Sequence, residues 1–339
     1  MDKQKKSKKR IRIGILSFIF LLLCSIYTVR DLFFSAPDVG HFKSQPGQED
    51  YQHYYDKVLA SLEAQPVSHD VETSWGTYRV YEWRPEAVKD KTPILLFPGH
   101  SSGAPMWRDL IPYLLKDRPV YAFDALGDAG MSKQSLPFED TKAVSQAVYQ
   151  MITGLKLEKA HLVGHSFGSS TTAGYAKDYP ENVASLTLLE PAFALNYPKA
   201  SVFFWATVSG LEFLPESWRN KALAEISGEE VSDVASQDDM ALMIKAASSS
   251  YSNELPTPQP ISGDVLKSWK FPVYLALAEK SKVTSQSTTD NAKAIKNLTV
   301  KKWKNTTHSL PMEVPAELTQ ELISFWKKAE EWVEWRKDI

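Results

Sequence analysis

The sequence predicts an α/β fold: a mostly parallel sheet flanked by helices, with an inserted helical cap. Short apolar runs alternate with segments of helical periodicity, the pattern of a parallel sheet covered on both faces. Residues 190–271 interrupt this alternation with helical segments and no strand. A composition of 43% hydrophobic and 24% charged residues fits a folded globular domain of this kind. The predicted strands are Pro93–Phe97, Val120–Phe123, Ala160–Val163, Ala184–Leu189, Pro272–Leu277 and Leu298–Trp303.

The chain begins with a basic segment, residues 1–12, followed by an uncharged apolar run, residues 13–29. A helix over this run is roughly 26 Å long, close to the minimum for crossing a bilayer core. No small-residue cleavage site follows, so an uncleaved signal anchor is favoured over a cleaved signal peptide. Lipidation of Cys24, as in bacterial lipoproteins, is disfavoured because Leu23 stands where a small residue is needed. The basic flank predicts a cytoplasmic N-terminus, a single span of the cell membrane and an extracytoplasmic domain.

The remaining chain divides by its patterns. A polar stretch, residues 30–70, is interpreted as a stalk, and the alternation over 71–83 predicts a hairpin that opens the domain. We expect residues 71–192 and 269–339 to form the two parts of the core. Residues 193–268 are expected to form the cap, the alternative being two ordinary crossover helices with long loops. The closing helix Pro315–Lys337 is expected to pack on the sheet through Leu318, Leu322, Phe325, Trp326 and Trp332.

The net charge argues against one class of partner, and the single cysteine limits how the domain can be stabilised. Residues 31–339 carry 31 basic and 40 acidic residues, which argues against nucleic acid as a partner. Cys24 is the only cysteine and lies in the anchor, so the exported domain must be stabilised by its core without disulfides. The sequence leaves the oligomeric state open.

A Gly-x-Ser-x-Gly motif follows the third of the six runs directly. Gly164, Ser166 and Gly168 lie where the predicted strand gives way to a helical segment. In this context the motif indicates a nucleophile elbow, whose glycines let the turn approach its neighbours where a Cβ would clash. Ser166 is therefore the candidate nucleophile.

A serine nucleophile needs a base within hydrogen-bond reach, itself oriented by a carboxylate. Folds built on this elbow carry nucleophile, acid and histidine in that chain order. Six of the seven histidines precede Ser166, and only His308 follows it, just after the last predicted strand. His308 is therefore the candidate base.

The oxyanion that forms on attack needs backbone donors. The residue after the nucleophile, Phe167, supplies one N–H group, and His100 in the loop after the first predicted parallel strand supplies the other. The side chain of His100 either contacts substrate or merely fills space, and we favour the latter. Asp124 and Asp128 precede Ser166, the wrong order for the acid, and are interpreted as residues that fix loops.

These motifs resemble those of the bacterial α/β-hydrolases around carboxylesterase NP. The resemblance covers roughly 71–326 and rests on the elbow, Pro98-Gly99-His100, the Asp124–Ser132 loop and Thr307-His308. It implies ester hydrolysis through an acyl-enzyme, with no cofactor and no metal. It also implies a triad acid after the strand Pro272–Leu277, where this chain has Ser281.

A serine cannot supply the negative charge that stabilises an imidazolium, so the acid must come from elsewhere. Glu190 ends the preceding strand, a position that some related hydrolases use, and Glu279 lies two residues before Ser281. A third alternative is that no acid operates. We favour Glu190.

The sequence thus predicts a membrane-anchored serine hydrolase acting on a small-molecule ester, or on a thioester or lactone. Ser166, His308 and Glu190 would form its triad, with the N–H groups of Phe167 and His100 as oxyanion donors. A serine at position 166 excludes the aspartate-dependent dehalogenase and epoxide hydrolase chemistries. The alternative is a degenerate hydrolase that binds a ligand or partner at the membrane surface without turnover.

Overall fold

The strands and helices alternate as the apolar runs predict. The structure is a computed structural model that describes residues 2–211 and 213–337, with the side chains of residues 14–211 and 213–331. The strands are β1 His41–Phe42, β2 Val67–Thr73, β3 Gly76–Trp83, β4 Ile94–Phe97, β5 Val120–Phe123, β6 Lys133–Gln134, β7 Ala160–His165, β8 Val183–Leu189, β9 Tyr251–Ser252, β10 Val273–Ala278 and β11 Leu298–Trp303. The helices are α1 Asp2–Phe34, α2 Gln45–Ala60, α3 Ile111–Leu114, α4 Thr141–Gly154, α5 Phe167–Asp178, α6 Ala200–Gly210, α7 Glu216–Ser227, α8 Val231–Val234, α9 Asp239–Ser250, α10 Asp264–Ser268, α11 Gln286–Ala292, α12 Leu310–Glu313 and α13 Pro315–Lys337.

The main sheet has the strand order β11-β10-β8-β7-β4-β5-β3-β2, and β6 pairs with β3. Strands β4, β5, β7, β8, β10 and β11 run parallel, whereas β2 and β3 form the predicted antiparallel hairpin at one edge. The predicted fold class, a mostly parallel sheet flanked by helices, is confirmed. The loops after β4, β7, β8 and β11 leave the same, carboxyl edge of the sheet, so the candidate residues on them converge there.

Apolar side chains cover both faces of the sheet. Strands β4, β7 and β10 are buried along their whole length, as expected for central parallel strands. On one face α13 packs through the buried Leu318, Leu322 and Trp326, as predicted. The side chain of Trp332, expected on the same face, lies outside the described residues.

The insertion between β8 and β10 is helical. Its described part contains α6 to α10 and, as its only strand, the two-residue β9, which pairs with β1. The insertion therefore contains five helices, and that they form a cap stays a prediction.

The segment interpreted as a stalk is in part packed against the domain. Helix α2 begins after Ser44, whose hydroxyl accepts the N–H of Gly47 at 3.3 Å. Tyr51, Tyr55 and Val58 on this helix are all buried. Their i, i+4, i+7 spacing places them on one face, so residues 45–60 belong to the core and the stalk interpretation is wrong for them.

The N-terminal helix is continuous through the predicted span. Within α1, Gly14–Phe34 is long and apolar enough to cross a membrane, and it is almost wholly exposed. The basic side chains that precede it lie outside the side chains described.

Candidate active site

Ser166 lies on a strained turn between β7 and α5. Its backbone has φ 52° and ψ −119°, a conformation that costs free energy for a non-glycine residue. A Cβ on Gly164 would lie 2.6 Å from the carbonyl oxygen of Gly168, and one on Gly168 would lie 2.3 Å from that of Phe97. The two glycines thus have the steric role that the motif predicts, and the turn raises Ser166 above the carboxyl edge of the sheet.

The loop after β4 passes directly beside the nucleophile. A Cβ built on Gly99 would lie 3.5 Å from the Cβ of Ser166, so the adjacent His100 is close to the elbow. Phe167 is the first residue of α5, and its N–H group therefore has no acceptor within the helix. Both residues that carry the candidate oxyanion donors therefore lie near Ser166.

Asp128 fixes the loop that carries His100. Its carboxylate accepts the N–H of Ser101 at 2.9 Å and lies 3.1 Å from Nδ1 of His100. The side chain of Asn253 also approaches that nitrogen, at 3.1 Å. Nδ1 takes part in only one of these hydrogen bonds, and donation to the Asp128 carboxylate holds the ring, which therefore does more than fill space. Burial opposes protonation of this ring, but the Asp128 carboxylate outweighs it and raises the pKa of His100.

Asp124 fixes the neighbouring loop, as predicted. Its buried carboxylate accepts the N–H groups of Ala104 at 2.7 Å and Met131 at 2.6 Å. The hydroxyl of Tyr55, on α2, donates to the same carboxylate at 2.8 Å. Burial raises the pKa of Asp124 to about 6, against these hydrogen bonds.

The candidate base and acid meet behind the elbow. Nδ1 of His308 lies 3.3 Å from Oε2 of Glu190. Glu190 is fully buried, whereas the His308 side chain is 17% exposed. A carboxylate on Nδ1 leaves Nε2 of the ring free to face a nucleophile.

The other oxygen of Glu190 is held by the loop after β10. Oε1 accepts the N–H of Ala278 at 2.5 Å and the hydroxyl of Thr284 at 3.3 Å. The backbone of Glu190 has φ 49°, and its N–H donates to the carbonyl of Ala276 at 2.9 Å. Every group around the carboxylate is therefore a donor, as a buried anion requires.

Glu279, the alternative acid, and Ser281, at the usual acid position, have other partners. Glu279 is exposed, and its Oε2 accepts the N–H of Asn305 at 3.0 Å, closing the turn after β11. The hydroxyl of Ser281 accepts the N–H of Val283 at 3.2 Å. Among the described residues, Glu190 alone among carboxylates lies within hydrogen-bond distance of His308.

His165 positions the base loop, a role that the sequence did not reveal. Its Nε2 lies 2.8 Å from the carbonyl oxygen of His308, and the two ring centroids are 4.8 Å apart. Burial, reinforced by the neighbouring His308 ring, lowers the pKa of His165 to about 3. The ring is therefore neutral and donates its Nε2 proton. The acceptor is a backbone carbonyl, which every residue has, so the sequence could not indicate this contact.

The cap also holds the base loop. The N–H of His308 donates to the carbonyl of Ser227 at 2.8 Å, at the end of α7. The hydroxyl of Ser309 donates to the Glu229 carboxylate at 2.5 Å. Gly228 follows α7 with φ 80°, and a Cβ at this position would lie 2.3 Å from the carbonyl oxygen of Lys280. The base is thus attached to both the core and the cap.

No group of three or more metal-ligating side chains occurs in the described part of the chain. The site as described consists of a hydroxyl, an imidazole, a carboxylate and two candidate backbone donors.

Comparisons with known proteins concern the fold. Residues 92–211 match the family described as alpha/beta hydrolase fold. Over 107 residues the chain is 34% identical to mouse 1-acylglycerol-3-phosphate O-acyltransferase ABHD5, covering 31% of this chain and 30% of that protein. Over 159 residues it is 28% identical to Xenopus laevis monoacylglycerol lipase abhd6-A, covering 46% and 47% of the two chains. The chain thus spans less than half the length of either relative.

The structure is also similar to that of naproxen esterase (carboxylesterase NP) from Bacillus subtilis. The TM-score is 0.74 at 21% identity, covering 84% of this chain and 99% of the esterase. At this identity the likeness establishes a common fold.

Proposed function

Because the chain belongs to the α/β-hydrolase superfamily, we propose that it is a serine hydrolase that cleaves a carboxylic ester through an acyl-enzyme on Ser166. The observation that carries the proposal is the contact between Nδ1 of His308 and Oε2 of the fully buried Glu190. A serine whose histidine base lacks an orienting acid is a weak nucleophile, and this pairing supports Glu190 in that role.

The reaction proceeds in two halves. His308 takes the proton of the Ser166 hydroxyl as its oxygen attacks the ester carbonyl carbon, and the N–H groups of Phe167 and His100 stabilise the resulting oxyanion. Collapse of this intermediate breaks the bond between the carbonyl carbon and the alcohol oxygen, and the alcohol leaves with the proton from His308. Water then attacks the acyl-enzyme, gives its proton to His308, and the acid departs as that proton returns to Ser166. Glu190 stabilises the imidazolium in both halves.

An ester is the favoured substrate, and the relatives support that choice. Naproxen esterase and monoacylglycerol lipase are names of ester hydrolases, whereas ABHD5 is named an acyltransferase. All three names describe acyl chemistry on oxygen. Thioester and lactone cleavage use the same residues and remain within the proposal.

We further propose that the enzyme acts at the outer face of a membrane. Helix α1 contains an apolar segment of 21 residues, Gly14–Phe34, preceded by seven basic residues. Such a flank stays in the cytoplasm, which leaves the domain outside. Digestion of the domain by protease added to intact cells is expected, and its protection would contradict this orientation.

The alternative of a degenerate, ligand-binding hydrolase was favoured by Ser281 at the usual acid position. Glu190 lies within hydrogen-bond range of His308, so Ser281 no longer supports that alternative.

A fluorophosphonate probe tests the nucleophile. We expect covalent labelling of the unsubstituted chain and none of Ser166→Ala. Ser170→Ala is the matched control, because Ser170 lies one turn along α5 and its hydroxyl donates to the carbonyl of Phe167. Equal labelling of Ser166→Ala, or no labelling of the unsubstituted chain, contradicts the proposal.

A further inference from the structure

Helix α2 lies directly behind the loop that carries His100. We call this loop, residues 98–104, the oxyanion loop. Tyr51 and Tyr55 are buried on the inner face of α2. A Cβ built on Gly103 would lie 3.2 Å from the hydroxyl oxygen of Tyr51 and 3.3 Å from Cε2 of Tyr55. Both tyrosine rings therefore pack against the backbone of the oxyanion loop.

The oxyanion loop has a strained backbone that needs support. Ser101 has φ 60° and Gly103 has φ 59°. A non-glycine residue keeps such a conformation only where its surroundings hold it. The Asp128 carboxylate accepts the N–H of Ser101 at 2.9 Å, and the Asp124 carboxylate accepts that of Ala104 at 2.7 Å. Two buried carboxylates thus hold the loop, one at the strained serine and one just after Gly103.

Asp124 also ties the oxyanion loop to the loop that follows β5. Its Oδ1 accepts the N–H of Ala104, and its Oδ2 accepts that of Met131 at 2.6 Å. Both oxygens are good acceptors only while the carboxylate is ionised. Since burial raises the pKa of Asp124 to about 6, about half of the molecules at pH 6 carry an uncharged carboxyl there.

Tyr55 donates a side-chain hydrogen bond to the Asp124 carboxylate, with 2.8 Å between its hydroxyl oxygen and Oδ2. Tyr55 has one hydroxyl proton and an ionised carboxylate can only accept, so the proton is directed at Asp124. The hydroxyl of Tyr81, 2.9 Å away, then donates to the Tyr55 oxygen. The bond from Tyr55 favours the ionised carboxylate and so opposes the effect of burial on its pKa. The other titratable or charged groups around Asp124 are Tyr51 on α2, Tyr81 and Arg79 on β3, and Asp128 in the same loop.

We propose that Tyr55, on the helix that follows the membrane segment, is a positioning residue for the oxyanion loop and acts through Asp124. The proposal rests on the function proposed above, because the loop serves catalysis through the N–H group of His100. Without the Tyr55 hydroxyl, Asp124 takes up its proton at a higher pH and holds Ala104 and Met131 less firmly. The oxyanion donor then loses its fixed position beside Ser166.

The pH dependence of turnover by Tyr55→Phe tests the proposal in the full-length chain. Phenylalanine keeps the packing of the ring and removes only the donor. The matched control is Tyr54→Phe, the next residue on α2, whose ring is partly exposed and contacts His53 and Lys57. Hydrolysis of p-nitrophenyl acetate is followed at the wavelength where nitrophenol and nitrophenolate absorb equally. Each rate is divided by that of the unsubstituted chain at the same pH, so groups that titrate alike in both proteins cancel.

We expect Tyr55→Phe to stay within about twofold of the unsubstituted chain at pH 8 and to fall at least about threefold below it at pH 6. Loss of one hydrogen bond to a charged group lowers the ionised fraction of Asp124 at pH 6 by up to about tenfold. Tyr54→Phe should stay within about twofold at both pH values. An equal loss at pH 6 and pH 8, no loss at pH 6, or the same loss in Tyr54→Phe overturns the proposal.

Asp124→Asn tests whether Tyr55 acts through that carboxylate. Asparagine has no charge to titrate, so adding Tyr55→Phe to this variant should change the rate by the same factor, within about twofold, at pH 6 and pH 8. A loss confined to pH 6 that persists in the double variant contradicts the proposed route through Asp124. The Tyr55→Phe measurement decides the proposal alone if Asp124→Asn does not fold.

Hydrogen exchange followed by mass spectrometry tests the support of the loop without reference to catalysis. At pH 6 we expect the backbone N–H groups of residues 99–106 and 125–132 to exchange at least about threefold faster in Tyr55→Phe than in the unsubstituted chain, and those of residues 315–331 to be unchanged. Unchanged exchange in the oxyanion loop defeats the proposal. Absence of turnover by the unsubstituted chain contradicts the hydrolase function instead, and exchange still decides whether Tyr55 holds the loop.

Discussion

Glu190→Gln is the sharpest test of the triad, because it removes one charge while preserving size in a fully buried position. When His308 takes the serine proton, its imidazolium stands 3.3 Å from the carboxylate. At an effective dielectric constant of about 20, that attraction is about 5 kcal/mol. Since each 1.36 kcal/mol is tenfold in rate, kcat is expected to fall by between about 10³ and 10⁴. Replacing the triad aspartate by asparagine in a serine protease costs about 10⁴, which is the same range.

The assay is hydrolysis of p-nitrophenyl acetate, with the folded fraction of each variant determined by circular dichroism so that misfolded protein does not enter kcat. The matched control is Glu279→Gln, which removes a carboxylate in the loop after β10 whose partner is a backbone N–H. We expect this control to stay within about threefold of the unsubstituted chain. A loss of less than about a hundredfold for Glu190→Gln, or equal losses for both variants, would refute the assignment of the acid.

Three further predictions concern the groups around the triad. Because the pKa of His165 is lowered to about 3, stability is fully present above about pH 6.5 and is lost at about 1.4 kcal/mol per pH unit as pH falls toward 3. Urea unfolding at pH 7 and pH 5 should show a smaller difference for His165→Gln, and an unchanged difference refutes the assignment. Glu229→Gln weakens a charge-assisted hydrogen bond to the loop that carries His308 and should lower kcat about tenfold. The control, Glu230→Gln, replaces an exposed neighbour and should leave kcat unchanged. Equal kcat values for the two variants contradict the proposed role of the inserted helices. Gly168→Ala forces a Cβ to 2.3 Å from a backbone oxygen and should lower the free energy of unfolding by more than about 3 kcal/mol. Gly210→Ala meets nothing within 4 Å and should gain up to about 1 kcal/mol; similar Tm values for the two variants refute the steric argument.

The parts of the fold that follow from local pattern could be predicted from the sequence. Central parallel strands are buried on both faces and appear as continuous apolar runs, so β5 and β11 have the predicted bounds and the other predicted strands differ by a few residues. Ser166 and His308 could be proposed as nucleophile and base because a motif and a fixed chain order restrict the candidates. The packing of α2 was missed, although Tyr51, Tyr55 and Val58 recur at helical spacing. The segment is mostly polar, so its narrow apolar face gave only a weak signal.

Contacts between distant backbone groups could not be predicted. The attachment of His308 to Ser227 and to His165 uses a main-chain N–H in one case and a main-chain carbonyl in the other. Any residue type supplies such groups, so no sequence signal distinguishes them. The packing of α1 against the inserted helices could not be predicted either, because exposed apolar side chains on a helix can pack equally well against another helix or against lipid.

In the proposed triad the carboxylate follows a different strand from the one that the family resemblance implies. Strand β8 lies between β7, which ends at the nucleophile, and β10, whose following loop carries Ser281. Moving the acid from that loop to Glu190 places it one strand nearer to Ser166, on a residue held at φ 49°. The vacated loop then serves the acid, because the N–H of Ala278 and the hydroxyl of Thr284 both donate to Oε1 and leave Oε2 for His308. A carboxylate at position 281 would compete with Glu190 for the same imidazole, and two such anions in one buried site repel each other. An uncharged residue such as Ser281 is therefore compatible with the proposed role of Glu190.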